Sequence, residues 1–155
     1  MTTFWGVDPG KTGALALIAG NDVIFHDWPG SEALMAAELQ WLIDCWGQPV
    51  LAVIEQQQAM PGDVGHMTSM AKLLTNYGVY LGVAAALQIP VRTVLPRRWK
   101  AAYLPARAPK SASVTIASRL YPKAALRGPR GGALDGRADA LLMADFAKKL
   151  HESGK

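Results

Sequence analysis

Four carboxylates, Asp8, Glu55, Asp135 and Asp139, hold the positions in this chain from which acidic side chains can act together. Asp8 ends the short apolar run that starts at Phe4 and leads into Pro9-Gly10, and Glu55 ends Val50–Ile54, a continuously apolar stretch rich in β-branched residues. Runs of this kind read as strands. If the two are parallel neighbours, their acids lie side by side at the edge where open α/β sheets place their sites. Asp135 and Asp139 are four residues apart, so they share one face of a final helix. Leu142 and Phe146 continue that stripe, with Ala138 and Leu141 beside it, so the acid-bearing face is also the one that packs on the sheet. Carboxylates gathered in one cleft repel one another unless a cation neutralises them, and hard oxygen donors select Mg²⁺ or Mn²⁺ over zinc or copper. Two such ions roughly 4 Å apart activate a water and stabilise the leaving oxygen in phosphodiester hydrolysis. Taken singly, strand-end acids also cap neighbouring helices, and Asp135 could be an N-cap.

The charge is distributed unevenly. Residues 1–91 hold two basic residues, Lys11 and Lys72, against eight acidic ones. Residues 92–130 hold ten basic residues and no acid, interspersed with Trp99, Tyr103 and Tyr121. A tract of that sign and density points to a polyanion partner rather than to a merely solvated face.

The elements that must position these groups follow from periodicity and turn chemistry. Phe4–Asp8, Ala14–Ala19 and Asp22–Phe25 read as three strands whose short links favour antiparallel hairpins. Ser31 caps a helix that runs to about Trp46 and is closed by Gly47; Met35, Leu39, Leu42 and Trp46 form its packing face. Val50–Ile54 is the fourth strand, and residues 56–65 form a loop. Met67–Leu87 is a long apolar helix, and Val91–Leu95 the fifth strand. A basic helical segment from Pro96 to about Tyr103 follows, then a Pro/Ala-rich link, a helix over Ser111–Leu120, a mobile basic loop at about 123–132, and a last helix from near Asp135 to about Leu150. The order predicts a mixed sheet covered by helices.

A chain of 155 residues, half of them hydrophobic, is expected to form one domain over 1–155, with a short tail at about 152–155. Cys45 has no partner for a disulfide, and no cysteine–histidine cluster has zinc-ligand spacing, which suits a reducing cytoplasm. The N-terminus lacks a basic segment followed by an apolar one, and no uncharged apolar run reaches about 18 residues, so neither a signal peptide nor a membrane span is expected.

An ordered set of short motifs spans almost the whole chain. It comprises Gly6-Val7-Asp8-Pro9-Gly10 with Thr12-Gly13; Val53-Ile54-Glu55-Gln56; Pro96 with Trp99-Lys100; Lys110 followed by Ala117 and Leu120-Tyr121-Pro122; and Asp135-Gly136-Arg137-Ala138-Asp139-Ala140-Leu141-Leu142. In this set the chain resembles RuvC-type Holliday-junction resolvases, in particular their short phage and bacterial versions, within the RNase H-like superfamily. The resemblance implies an α/β, RNase H-like fold: a five-stranded mixed sheet, its first three strands antiparallel and its fourth and fifth parallel to the first, flanked by helices. It also implies a homodimer that cuts opposed strands of a four-way junction with two metal ions (Mg²⁺ or Mn²⁺) per site, leaving 5′-phosphate and 3′-hydroxyl ends. Asp8, Glu55 and Asp139 take the positions of the family's metal ligands. The better-known cellular enzymes place a fourth ligand three residues before the last Asp, where this chain has Gly136; Asp135 stands one residue earlier.

The same resemblance places Lys110 near the cut phosphate, where it could steady transition-state charge or serve as a plain phosphate contact. Arg97, Arg98 and Lys100 are candidate contacts to DNA backbones. The cellular enzymes present an aromatic wedge in the loop after the catalytic Glu; this chain has none there, and Gln57, Gln58 and Met60 are the candidates that remain. Tyr77, Gly78, Leu81 and Gly82 fall on the helix that forms the family's dimer interface. Lys11 either approaches a phosphate beside Asp8 or serves the turn. Three other readings compete. Asp8-Pro-Gly-Lys-Thr-Gly also resembles the phosphate turn of actin-like ATPases, which need two lobes and a second such turn that this chain lacks. A non-catalytic junction-binding protein would be expected to have lost a carboxylate. A nuclease of the same fold acting more broadly on flaps, forks or replication intermediates stays open.

Overall fold

The computed structural model describes residues 1–58 and 67–154. Its strands are β1 (Thr3–Val7), β2 (Ala14–Ala19), β3 (Asp22–Asp27), β4 (Leu51–Glu55) and β5 (Val91–Val94). Its helices are α1 (Glu32–Trp46), α2 (Met67–Ala86), α3 (Pro96–Lys100), α4 (Ala112–Leu120) and α5 (Asp135–Glu152). The strands form one sheet in the order β3-β2-β1-β4-β5. β1–β2 and β2–β3 pair antiparallel, whereas β4 pairs parallel to β1 and β5 parallel to β4, as the sequence predicts.

Strand alternation sorts the sheet's side chains into two cores. Phe4, Ala14, Ala16, Ile18 and Val53 point to the face covered by α3, α4 and α5. Trp5, Val7, Leu15, Leu17, Ala52 and Ile54 point to the face covered by α1 and α2. On the second face α1 begins as expected: the Ser31 hydroxyl accepts from the Leu34 N–H at 3.3 Å, and Gly47 ends the helix at φ +80°.

Helix α5 departs from the expected one-sided stripe. Eleven of its eighteen residues are buried, among them Ala138, Ala140, Ala144 and Ala147 on more than one side. These small side chains let the helix lie close to the strands. At Gly6, on β1, an added Cβ would run into the backbone of Ala140 and Ala144, so the helix and the strand touch backbone to backbone. The basic helix also proves shorter than expected: α3 ends at Lys100, and Ala102 and Tyr103 continue it only through i→i+3 hydrogen bonds to Trp99 and Lys100 ahead of Pro105. The glycine-rich stretch that follows α4 is anchored by buried Leu126 and carries a bridge between Arg127 and Ala133. Among the described residues no helix is long and apolar enough to cross a membrane.

Candidate active site

Register brings the first two acids together. Val7 of β1 is the parallel partner of Ile54 of β4, so Asp8 and Glu55 follow side by side at one end of the sheet. By strand alternation both belong to the α5 face, with Gly6 and Val53. The turn after Asp8 is tight: the Asp8 N–H donates to the Ala14 carbonyl at 3.0 Å, the Gly13 N–H to the Gly10 carbonyl at 2.9 Å, and the Gly10 N–H to Asp8 Oδ1 at 2.9 Å. Asp139 enters from the second turn of α5, and Asp135, at that helix's first residue, is exposed.

The carboxylates feel one another. Burial pushes Asp8 from 3.8 up to about 6, the charges of Glu55 and Asp139 push it the same way, and the Gly10 N–H and Lys100 pull against them. Asp139 is also raised, first by burial and further by Glu55 and Asp135, against the Ser113 hydroxyl and Lys100. Asp139 Oδ1 is buried with no hydrogen-bond partner among the described residues. A charged acceptor left bare in this way costs more than the roughly 1–3 kcal/mol of a neutral orphan, and a hard cation is the natural partner for it. No three acids, histidines or cysteines among the described residues close into a finished metal cage. Even so, the donor set of oxygens, its mutual repulsion and the bare Oδ1 fit a divalent ion of the Mg²⁺ type.

Glu55 is held from both sides. The indole N–H of Trp99, a side chain with no solvent exposure, donates to Glu55 Oε2 at 2.7 Å, and Gln57 Nε2 donates to Oε1 at 3.2 Å. A buried tryptophan needs an acceptor for its N–H, and Glu55 is the acceptor that Trp99 finds. Lys100 lies over the Trp99 ring, 5.3 Å from its centroid.

The remaining candidates spread outward. Arg97, Arg98 and Gln58 are exposed close to this edge in sequence, and Lys110 is exposed just before α4. Lys100, not singled out as catalytic by sequence, is the cation whose field lowers both Asp8 and Asp139. Met60 lies outside the described residues. Tyr77 and Leu81 are half-buried on α2, whereas Gly78 and Gly82 are exposed with open space around them. Arg137, inside the acidic motif, turns away from the acids. It makes a two-pronged pair with Asp27 at 2.8 and 2.7 Å, reaches the Ala125 carbonyl at 3.3 Å, and lies over Phe25.

The five-stranded mixed sheet with acids at the ends of β1 and β4 and on the last helix defines an RNase H-like fold. Within that class the chain has the fold of RuvC. It is similar to the structure of T. thermophilus RuvC in complex with a Holliday junction substrate, with a TM-score of 0.69 at 18% identity over 99% of this chain and 97% of that one. The Thermus thermophilus RuvC structure is similar to the same degree, with a TM-score of 0.68 at 19% identity and the same coverage. No family model matches the chain, and no curated protein matches it in sequence.

Proposed function

We propose that this chain is a metal-dependent endodeoxyribonuclease that resolves four-way DNA junctions, working as a homodimer whose two sites nick opposed strands symmetrically. The observation that carries the reading is the convergence of Asp8, Glu55 and Asp139 on the α5 side of one sheet edge, in a fold shared along nearly its whole length with a RuvC that was solved on a Holliday junction. These three acids, with Asp135 as a fourth, are the ligands assigned to two Mg²⁺ or Mn²⁺ ions. When bound there, such ions activate water and stabilise the departing oxygen, leaving 5′-phosphate and 3′-hydroxyl ends. Trp99 and Gln57 hold the Glu55 carboxylate in place. Lys110 steadies charge on the cut phosphate, and Arg97, Arg98 and Lys100 supply backbone contacts whose strength falls with salt.

The dimer rests on α2. Ala71, Thr75, Gly78, Gly82 and Ala86 recur along it at four- and three-residue steps, all exposed and all small, which leaves a face a second helix can approach closely. Such an enzyme works in the cytoplasm of a bacterial cell or a phage-infected host. One observation favours a broader substrate range: residues 56–66 contain no Phe, Tyr or Trp to wedge open a junction centre.

Cleavage of synthetic four-way junctions, flaps, forks and linear duplex with Mg²⁺ tests both readings, with Asp8→Asn and Glu55→Gln as controls. Paired symmetric nicks on the junction, lost in both variants, are expected. Equal cutting of flaps and forks moves the assignment to the broader nuclease. Equal cutting of linear duplex, or full activity in Asp8→Asn, refutes the resolvase reading, and a monomer by light scattering at micromolar concentration refutes the dimer.

A further inference from the structure

Lys11 and Lys72, the two basic residues of the acidic first 91, are sixty-one positions apart in sequence, yet they line the same cavity. It has a volume of about 410 Å³ and lies between the Asp8 turn, the segment after β3 and the first turns of α2. Trp28, Ser69 and Asn76 are among its other lining residues, and among the described residues no carboxylate lines it. Neither lysine has an ion-pair partner among the described residues. Among the described residues the lining therefore offers two unpaired ammonium groups, two hydroxyls (Thr68 and Ser69) and an amide. It also offers a half-buried tryptophan whose ring is braced at 6.0 Å against Tyr80. That combination of cations, small polar donors and one aromatic ring suits a nucleotide unit, with phosphate on the lysines and base or sugar on the ring. The volume falls within the roughly 300–1,000 Å³ of ordinary ligand pockets.

Position decides what kind of phosphate. Lys11 stands in the turn that carries Asp8, so the cavity opens beside the candidate active site, but on the α1/α2 side of the sheet. The segments of the basic tract that pack into the core, around Trp99 and Val114, belong to the α5 side. A strand held at the catalytic edge thus meets positive charge on both sides of the sheet.

We infer that the Lys11–Lys72 cavity is a second DNA-backbone groove, which holds the phosphates of one junction arm on the face of the sheet opposite α5. The inference rests on the reading that this chain acts on DNA, and it adds where a second arm lies. A free mononucleotide would use the same groups, so the test includes one.

Binding of a fluorescent four-way junction is measured by anisotropy in the full-length Asp8→Asn protein, without divalent ions, across a salt series. Each lost phosphate contact lowers the slope of log K against log salt by about 0.9. Lys11→Gln/Lys72→Gln is expected to lower it by about 2 and to weaken binding at least tenfold at 0.15 M salt. Lys72→Gln alone, on an exposed helix position, is expected to lower it by about 1, so the inference stays testable if the Lys11 change disturbs the turn. Lys72→Arg should restore the slope. Lys148→Gln, the same charge change at the far end of α5, should leave it unmoved. An unchanged slope in the Lys11/Lys72 variants, or an equal drop in Lys148→Gln, overturns the groove while the resolvase reading stands. AMP that competes as well as an equal concentration of junction nucleotides also overturns it, in favour of a mononucleotide pocket. Failure of the parent protein to bind any junction overturns the resolvase reading itself, and the groove with it.

Discussion

Replacing Asp8 with asparagine should make the metal-free protein more stable while abolishing cleavage. Burial raises the Asp8 carboxyl from 3.8 to about 6, so the fold prefers the protonated form. Between those two values the native state holds a proton that the unfolded chain has released. Stability therefore falls as pH rises through that window, and the penalty is complete above pH 6. At 1.36 kcal/mol per unit the shift corresponds to about 3 kcal/mol, and about 2 to 3 kcal/mol once screening of a partly exposed group is allowed for. Asparagine carries no charge, and its Oδ1 can still accept the Gly10 N–H that Asp8 Oδ1 accepts at 2.9 Å. For a chain of this length the difference is a rise of roughly 4 to 12 °C in Tm.

Thermal melts in EDTA at pH 7.5 and pH 4.5 measure this directly. The gap between Asp8→Asn and the parent should be widest at pH 7.5 and shrink to about 1 kcal/mol at pH 4.5, where the parent's Asp8 is protonated in the fold. Mg²⁺ should then reverse the order. An ion that binds only the native state stabilises it by RT ln(1 + [L]/Kd), and the parent offers it a full set of acids. If Asp8→Asn melts below the parent in EDTA at pH 7.5, or if Mg²⁺ raises both proteins equally, then Asp8 is neither a strained buried acid nor a metal ligand.

Three further outcomes are expected. Trp99→Phe keeps the ring and removes the N–H that donates to Glu55 Oε2; it should cost about 1–3 kcal/mol, and in a Mg²⁺ titration of single-turnover cleavage it should raise the ion concentration needed for half-maximal rate, an effect that lost packing alone would not produce. Asp145 is held low despite its burial, because the Tyr103 and Tyr121 hydroxyls donate to it at 2.6 Å each and Lys149 pairs with it at 2.9 Å; its contribution is present above the unfolded pKa and lost as pH falls through the folded one, so the Tm gap between parent and Asp145→Asn should narrow in acid, and a gap independent of pH would sink the account. Gly136→Ala should destabilise by more than about 3 kcal/mol in denaturant titration, because its Cβ would meet the Thr12 carbonyl backbone and Gly13 Cα at 2.9 Å; a neutral effect would mean that α5 is not seated on that turn.

The parts of the site legible in sequence were those fixed by local rules. A strand-end acid after an apolar run located Asp8 and Glu55, and helical spacing put Asp135 and Asp139 on one face. Sheet register then did what the pattern required, since Val7 pairs with Ile54. What escaped was every partner chosen by tertiary contact: Trp99 for Glu55, Ser113 and Lys100 for Asp139, and Lys11 beside Lys72. Arg137 misleads for the same reason. It reads as part of the acidic motif, but it stands two residues from each acid, and two residues along a helix turn through about 200°, so it faces the other way and there finds Asp27. The alanines of α5 read as filler around an apolar stripe. Their small size is what lets the helix sink between β1 and α4 until eleven of its eighteen residues are buried.

That depth bears on the fourth acid. The helix can reach Asp8 and Glu55 with Asp139 only because its first turn lies against the backbone of Thr12 and Gly13, and Gly136 is the residue at the contact. An acid at position 136 would force the turn and the helix apart and withdraw Asp139 from the cleft that an added ligand was meant to complete. A fourth carboxylate from this helix therefore has to stand where a side chain has room, and Asp135 is exposed at its first residue, close enough to raise Asp139 by its charge. The glycine at position 136 and the acid one residue earlier thus answer to one packing constraint: the closeness of α5 to the Asp8 turn leaves room for a side chain at position 135 and none at 136.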